Sequence, residues 1–248
     1  MKKILCLVLT LAIALCATMV LAEEAAPAEE EAVEVELMSH QEYAEAEIDA
    51  PVYVETYVQG SQAWWAKDGV GRMTLYLQSE DGAYFAYEVL MDEEASKLLV
   101  PGTKIGIWGY KAEWSGEVEI VDAEYEIIDG DTFIAEPFDA TALLDSEELI
   151  DHQNEKVVFK GMTVEAYDES GAAFAYKNAE EKKDDIYLKV SKDGKSYAFC
   201  VEAYLCNEES DTYKAVEALQ VGDVIDIEAF LYWYNGANPH ITAVSAAQ

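Results

Sequence analysis

The sequence predicts a mostly β fold of two tandem five-stranded barrels, each with short helices. Three observations carry this. Short runs rich in β-branched and aromatic residues recur along the chain, punctuated by Gly, Asp and Pro, as strands and tight turns are. Two of the punctuation points are Asp81-Gly82 and Asp193-Gly194, where glycine accepts the positive φ that a hairpin turn needs. The order of the signals also repeats. A capping box opening at Ser39, with Glu42 reaching back, returns 106 residues later with Asp145 and Glu148. Met38 and Tyr43 flank the first box as a hydrophobic staple, and Leu144 and Leu149 flank the second.

Composition supports a folded chain. Of 248 residues, 51% are hydrophobic, too many for a disordered acidic tail. The length suits one large domain or two of about 100 residues each. Lys and Arg number 16 against 50 Asp and Glu, a formal charge of −34. Broad affinity for DNA or anionic lipid needs a cationic surplus, so this balance predicts against both.

The chain opens like an export signal. Lys2 and Lys3 precede an apolar run that ends at Val20, Leu21 and Ala22. A basic start, an apolar stretch and small residues at −3 and −1 predict cleavage after Ala22. A retained anchor is the alternative, since the run approaches the length of a span. Lipidation at Cys16 is a third reading, weakened because Leu15 stands where a small residue belongs. Cleavage leaves no stable membrane span and only Cys200 and Cys206. Export permits a disulfide, but an extended segment of this length holds the two Cα atoms roughly 20 Å apart, so packing is expected unless a turn intervenes. Residues 23–37 hold seven Glu and no basic residue and read as a solvated spacer. The domains expected beyond it are 38–130 and 144–248, with a linker over 131–143.

Each unit is predicted to run helix, strand, hairpin, helix, strand, strand. First strands fall at 52–58 and 157–164. Hairpins follow around Gly82 and Gly194. Short helices open on Asp92 and Asp211, which suit an N-cap and the helix dipole. The last two strands match through Gly102 and Gly222, Ile105 and Ile225, Ile107 and Ile227, and Gly116 and Gly236. A helix between strands three and four argues against a plain sandwich or a lipocalin-like barrel. With the turn Val100-Pro101-Gly102 or Val221-Gly222-Asp223 entering strand four, this order resembles the OB-fold over about 200 residues. It is similar to exported tandem OB-fold proteins of Gram-positive bacteria, which lack an assigned activity. The resemblance implies a secreted or envelope-associated protein and does not imply a mechanism.

OB-folds bind on the face of strands two and three, between the loops that join strands one to two and four to five. Those regions hold Trp64, Trp65, Tyr110 and Trp114 in the first unit, and Phe174, Tyr176, Tyr232, Trp233 and Tyr234 in the second. Ring faces stack on sugars, bases or peptide groups. Trp64, Trp65, Tyr110, Trp114, Tyr176, Tyr232 and Trp233 are therefore the candidate binding residues. Tyr87, Phe199 and Trp108 are assigned to the core or the barrel mouth. Lys67, Arg72 and Lys111 form a candidate basic patch.

No catalytic constellation stands out. His40, His152 and His240 fall in no metal or nucleophile motif. Asp129-Gly130-Asp131 and Asp184-Asp185 lack the full calcium-loop pattern. The expectation is a secreted, non-catalytic binding or adaptor protein without metal or cofactor. Its ligand would be a glycan, a peptide or a basic protein surface, with nucleic acid disfavoured. The alternatives are a nucleic-acid binder using the basic patch, and a structural envelope protein with no small ligand.

Overall fold

A computed structural model describes residues 36–178 and 183–247. The predicted signal and nearly all of the acidic spacer lie outside the described residues, as do Cys6 and Cys16.

The first barrel opens with α1 (His40–Glu45). Ser39 accepts from the Glu42 amide, and Glu42 in turn accepts from the Ser39 amide at 2.8 Å, completing the expected box. Its strands are β1 (Pro51–Ser61), β2 (Trp65–Lys67), β3 (Val70–Gln78), β4 (Ala83–Leu90), β5 (Lys104–Trp114) and β6 (Glu117–Ile127), with α2 (Glu93–Ser96) between β4 and β5. Sheet order is β1-β5-β6-β4-β3-β2, and β1 also pairs with β3. The single parallel contact joins β4 to β6. Inward positions alternate along each strand, so Val52, Val54, Leu75, Leu77, Ile105 and Ile107 fill the interior,.

The second barrel repeats the order. Its strands are β7 (Phe138–Asp139), β8 (Lys156–Val164), β9 (Phe174–Tyr176), β10 (Ile186–Lys192), β11 (Lys195–Val201), β12 (Val224–Phe230) and β13 (His240–Ala246), with α3 (Asp211–Glu217) before β12. Sheet order is β7-β8-β12-β13-β11-β10-β9, and a β8–β10 pairing closes a five-stranded barrel. Phe199 lies in its core as expected. The β10–β11 turn places Asp193 and Gly194 at φ 51° and 80°, the paired positive values that favour an Asp-Gly hairpin.

Several local expectations are corrected. The second box is not capped by Asp145: Ser146 accepts from the Glu148 amide at 3.1 Å, and the helix is a 3-10 turn, Glu147–His152. Asp145 pairs instead with Lys195 at 2.9 Å. Ser210, not Asp211, caps α3. The predicted linker is held to both barrels. Gln59 of β1 donates to the Phe133 carbonyl at 3.1 Å and accepts from the Ala135 amide at 2.8 Å. β7 then runs parallel to β8, and Phe138 stacks on His152 with centroids 4.1 Å apart. A turn does separate Cys200 from Cys206, yet both are free thiols. No helix among the described residues is long and apolar enough to cross a membrane.

From Leu37 onward the two barrels form one compact unit. Their junction is aromatic. Tyr76 and Phe85 point outward from β3 and β4, and each is at most 3% exposed because Phe230, Leu205 and Tyr232 cover them. The Tyr76 ring stacks on Phe230 at 4.5 Å, and its hydroxyl meets His240 Nδ1 at 2.7 Å.

Candidate functional site

The site begins with an irregularity in one hairpin. Across β3 and β4, Met73 faces Val89 while Leu75 faces Ala86. Thr74 therefore stands opposite two residues, Tyr87 and Glu88, the two-against-one count of a β-bulge. Glu88 takes φ 49°, a left-handed conformation that costs a residue with a Cβ on the order of 1 kcal/mol. Its amide donates to Thr74 Oγ1 at 3.2 Å. Strict alternation would send Tyr87 and Glu88 to opposite faces. Instead Ala86 and Val89 stay in the core, and Tyr87 and Glu88 line one cleft outside it. Tyr87, expected in the core, is 43% exposed.

The cleft encloses about 340 Å³ and is lined by Gln62, Trp65, Thr74, Tyr87, Glu88 and Tyr204. Trp65 sits on the short β2 ribbon opposite Arg72. The Arg72 guanidinium lies 5.5 Å from the Trp65 ring centroid and 3.5 Å from the Glu88 carboxylate. Tyr204 comes from the second barrel and is 65% exposed. Its backbone is fixed where its carbonyl accepts from the Ala63 amide at 2.7 Å, and the next residue, Leu205, packs into the aromatic junction. The cleft is thus walled by both barrels, and Gln62 of its lining donates its Nε2 to the Tyr76 hydroxyl at 3.5 Å.

Carboxyl groups around the junction hold their protons unusually well. Burial pushes Glu119 up to about 7. Burial and the charge of Asp185 push Glu202 up to about 7. Glu117 is pushed up to about 8 by burial, although its Oε2 accepts from the Trp233 amide at 2.7 Å and from Gln153 at 3.2 Å. Burial drives His240 the other way, down to about 3, so it is neutral. The Tyr87 phenol is raised by burial and by the adjacent Glu88.

Of the residues expected to bind, Trp65 alone lines this cleft. Trp64 faces inward, and its Nε1 donates to the Met91 carbonyl at 3.0 Å. Gly71 admits that ring: a Cβ there would lie 2.6 Å from Trp64 and 2.4 Å from the Met91 oxygen. Tyr110 and Trp114 stand exposed on β5, at 46% and 61%. Tyr176 donates to Glu217. Tyr232 packs into the junction and stacks on His240 at 4.3 Å, while Trp233 packs against the second core and meets the first barrel through its amide, which donates to Glu117. Trp108 sits edge-on to Tyr53.

The basic patch is not assembled. Lys67 is exposed and Arg72 is paired with Glu88, but Lys111 is 5% exposed. Its Nζ donates to the carbonyls of Tyr43, Ala44 and Ala46 at 3.0, 2.9 and 2.8 Å, closing the C-terminal end of α1, where a cation meets the negative dipole. Tyr87, Glu88 and Tyr204 escaped selection from sequence. A bulge leaves no mark in an alternating run, and Tyr204 precedes the extra length near Cys206, which was the one available signal.

No family model matches the chain, and no curated protein matches it. Solved structures do. A murine DNA-binding protein bound to double-stranded DNA is 13% identical, covering 79% of this chain and 96% of its own, at a TM-score of 0.34. The Ifi202 HINa domain in complex with double-stranded DNA is 13% identical, with 78% and 91% covered and a TM-score of 0.32. The single-stranded DNA binding protein of Thermus aquaticus is 11% identical, with 82% and 95% covered and a TM-score of 0.28. At these scores they do not identify a ligand for this chain. They do correct one expectation: proteins of similar structure are described as DNA binders, so the disfavouring of nucleic acid as a partner is withdrawn.

Proposed function

We propose that the protein is a non-catalytic binding module whose ligand docks in the cleft between β3–β4 of the first barrel and Tyr204 of the second. The observation that carries this is the bulge. A left-handed Glu88 sets a carboxylate and the Tyr87 ring side by side, opposite Trp65, at a local conformational cost, and strain of that kind collects at functional sites. The cleft volume falls in the range of small-ligand pockets, and three rings with a few polar groups match their usual lining. Export to the cell exterior, read from residues 1–22, belongs to the same proposal, as does the absence of a catalytic role.

A second reading is a single-stranded oligonucleotide. It is favoured by the position of the cleft on the strand pair through which OB-folds take oligonucleotides, and by the Arg72–Trp65 stack, a platform for a base. Intrinsic tryptophan fluorescence separates the readings. A neutral oligosaccharide, a basic peptide and an oligothymidine are titrated into the wild type, Trp65→Ala and Tyr204→Ala. A response in the wild type that both variants lose supports the cleft. Affinity for the oligonucleotide that falls steeply with salt supports the second reading. Silence with every ligand favours a structural envelope role and defeats both.

A further inference from the structure

We propose that the ligand taken by this cleft carries an organic cation, an alkylammonium group seated among Trp65, Tyr87 and Tyr204 against Glu88. The inference rests on the binding reading above and names its chemistry. Three aromatic side chains line one small cleft, and a ring face attracts a desolvated cation through its quadrupole. Among the described residues of the lining, Glu88 is the one charged group, and it is negative.

The site already holds a cation of this kind at its edge. The Arg72 guanidinium rests over Trp65 and 3.5 Å from Glu88. At that distance the pair is a loose one, worth about 1 kcal/mol or less, so Glu88 remains open to a second cationic partner. A neutral apolar occupant would desolvate that carboxylate with only the loose Arg72 pair to offset the cost,. A cationic occupant pairs it. The surroundings act in the same direction. The chain carries −34 overall, a field that concentrates cations at its clefts. The volume of about 340 Å³ accommodates a trimethylammonium head and a short tail.

Two sources present this chemistry: a free quaternary amine, or a lysine side chain, methylated or not, on a basic peptide. The test uses full-length protein and calorimetry, with Trp65 fluorescence as the site readout. The probes are choline, its neutral isostere 3,3-dimethylbutan-1-ol, and one peptide with lysine, trimethyllysine or norleucine at a single position. A neutral oligosaccharide and an oligothymidine complete the set. The expected result is binding by choline or the trimethyllysine peptide about tenfold or more tighter than by its neutral counterpart. Glu88→Gln should narrow that gap, and the exposed Tyr204→Ala should weaken the cation about tenfold. Whether choline or the peptide binds tighter assigns the source. Equal binding of cation and isostere overturns the cation inference and leaves the cleft reading standing, as does binding by the sugar or oligonucleotide in place of the cations. A silent Trp65 in every arm overturns both.

Discussion

The two barrels put the same hairpin to different uses. In the second, β10 and β11 pair without interruption from Ile186–Val201 to Lys192–Lys195. Outward residues stay at the surface, with Lys189 near Glu165 at 3.4 Å and Tyr187 beside Tyr167. In the first, one end of the equivalent face is buried under the second barrel through Tyr76 and Phe85, and the other end is reshaped by the bulge into a cleft. Element order alone therefore does not decide whether the outward face of an OB-like barrel carries a cleft. One inserted residue and one neighbour do.

If the first face is structural core at its buried end, truncation there should be severe. Phe230→Ala should cost about 3–5 kcal/mol in chemical unfolding, as for a large buried ring. Tyr187→Ala, at the half-buried face of the second barrel, should cost about 1 kcal/mol. Equal costs would erase the contrast.

The junction should also give stability a distinctive pH dependence. Glu117 is neutral in the folded protein up to about pH 8, whereas in the unfolded chain it ionises near its ordinary 4.5. Its contribution is full below that value and is lost as pH rises to about 8, and Glu119 and Glu202 act the same way up to about 7. His240 opposes them: its contribution is full above 6.5 and is lost as pH falls toward 3. Each displaced group contributes a slope of up to about 1.4 kcal/mol per pH unit. Glu117→Gln should thus flatten the decline between pH 5 and 8, measured by denaturant midpoints. An unchanged slope would show that Glu117 ionises freely.

Smaller effects sharpen the comparison. Ser146→Ala should cost about 1 kcal/mol, as loss of a helix cap does, while Asp145→Ala loses only an exposed ion pair worth a few tenths of that. The reverse order would restore Asp145 as the cap. Glu88→Gly should raise stability by about 0.5–1 kcal/mol by relieving the left-handed residue, at the expense of the cleft. In the regular hairpin of the second barrel the left-handed Asp193 lies in the turn, and neither strand carries such a position.

Much of the fold was legible in the sequence. Alternation placed Val52, Leu75 and Ile107 inward, Asp193-Gly194 fixed a hairpin, and Ser39 with Glu42 fixed a helix start. Legibility failed where a neighbour in space decides the outcome. Lys111 reads as a surface cation until α1 is seen to end over it. Tyr232 and Trp233 read as loop platforms until the barrels are joined. Asp145 and Ser146 are both good caps, and Lys195 draws Asp145 away. The cleft depends on a bulge and on a residue 116 positions from Glu88 along the chain, so only Trp65 could be selected beforehand.

The five tryptophans supply the most direct measurement, an indole N–H spectrum recorded during titration with choline, with Trp65 assigned through Trp65→Phe. The account predicts that the Trp65 signal moves while that of Trp114, exposed and outside the cleft lining, stays in place. Movement of Trp114 or Trp233 with Trp65 unmoved would contradict it and return the binding face to the loops.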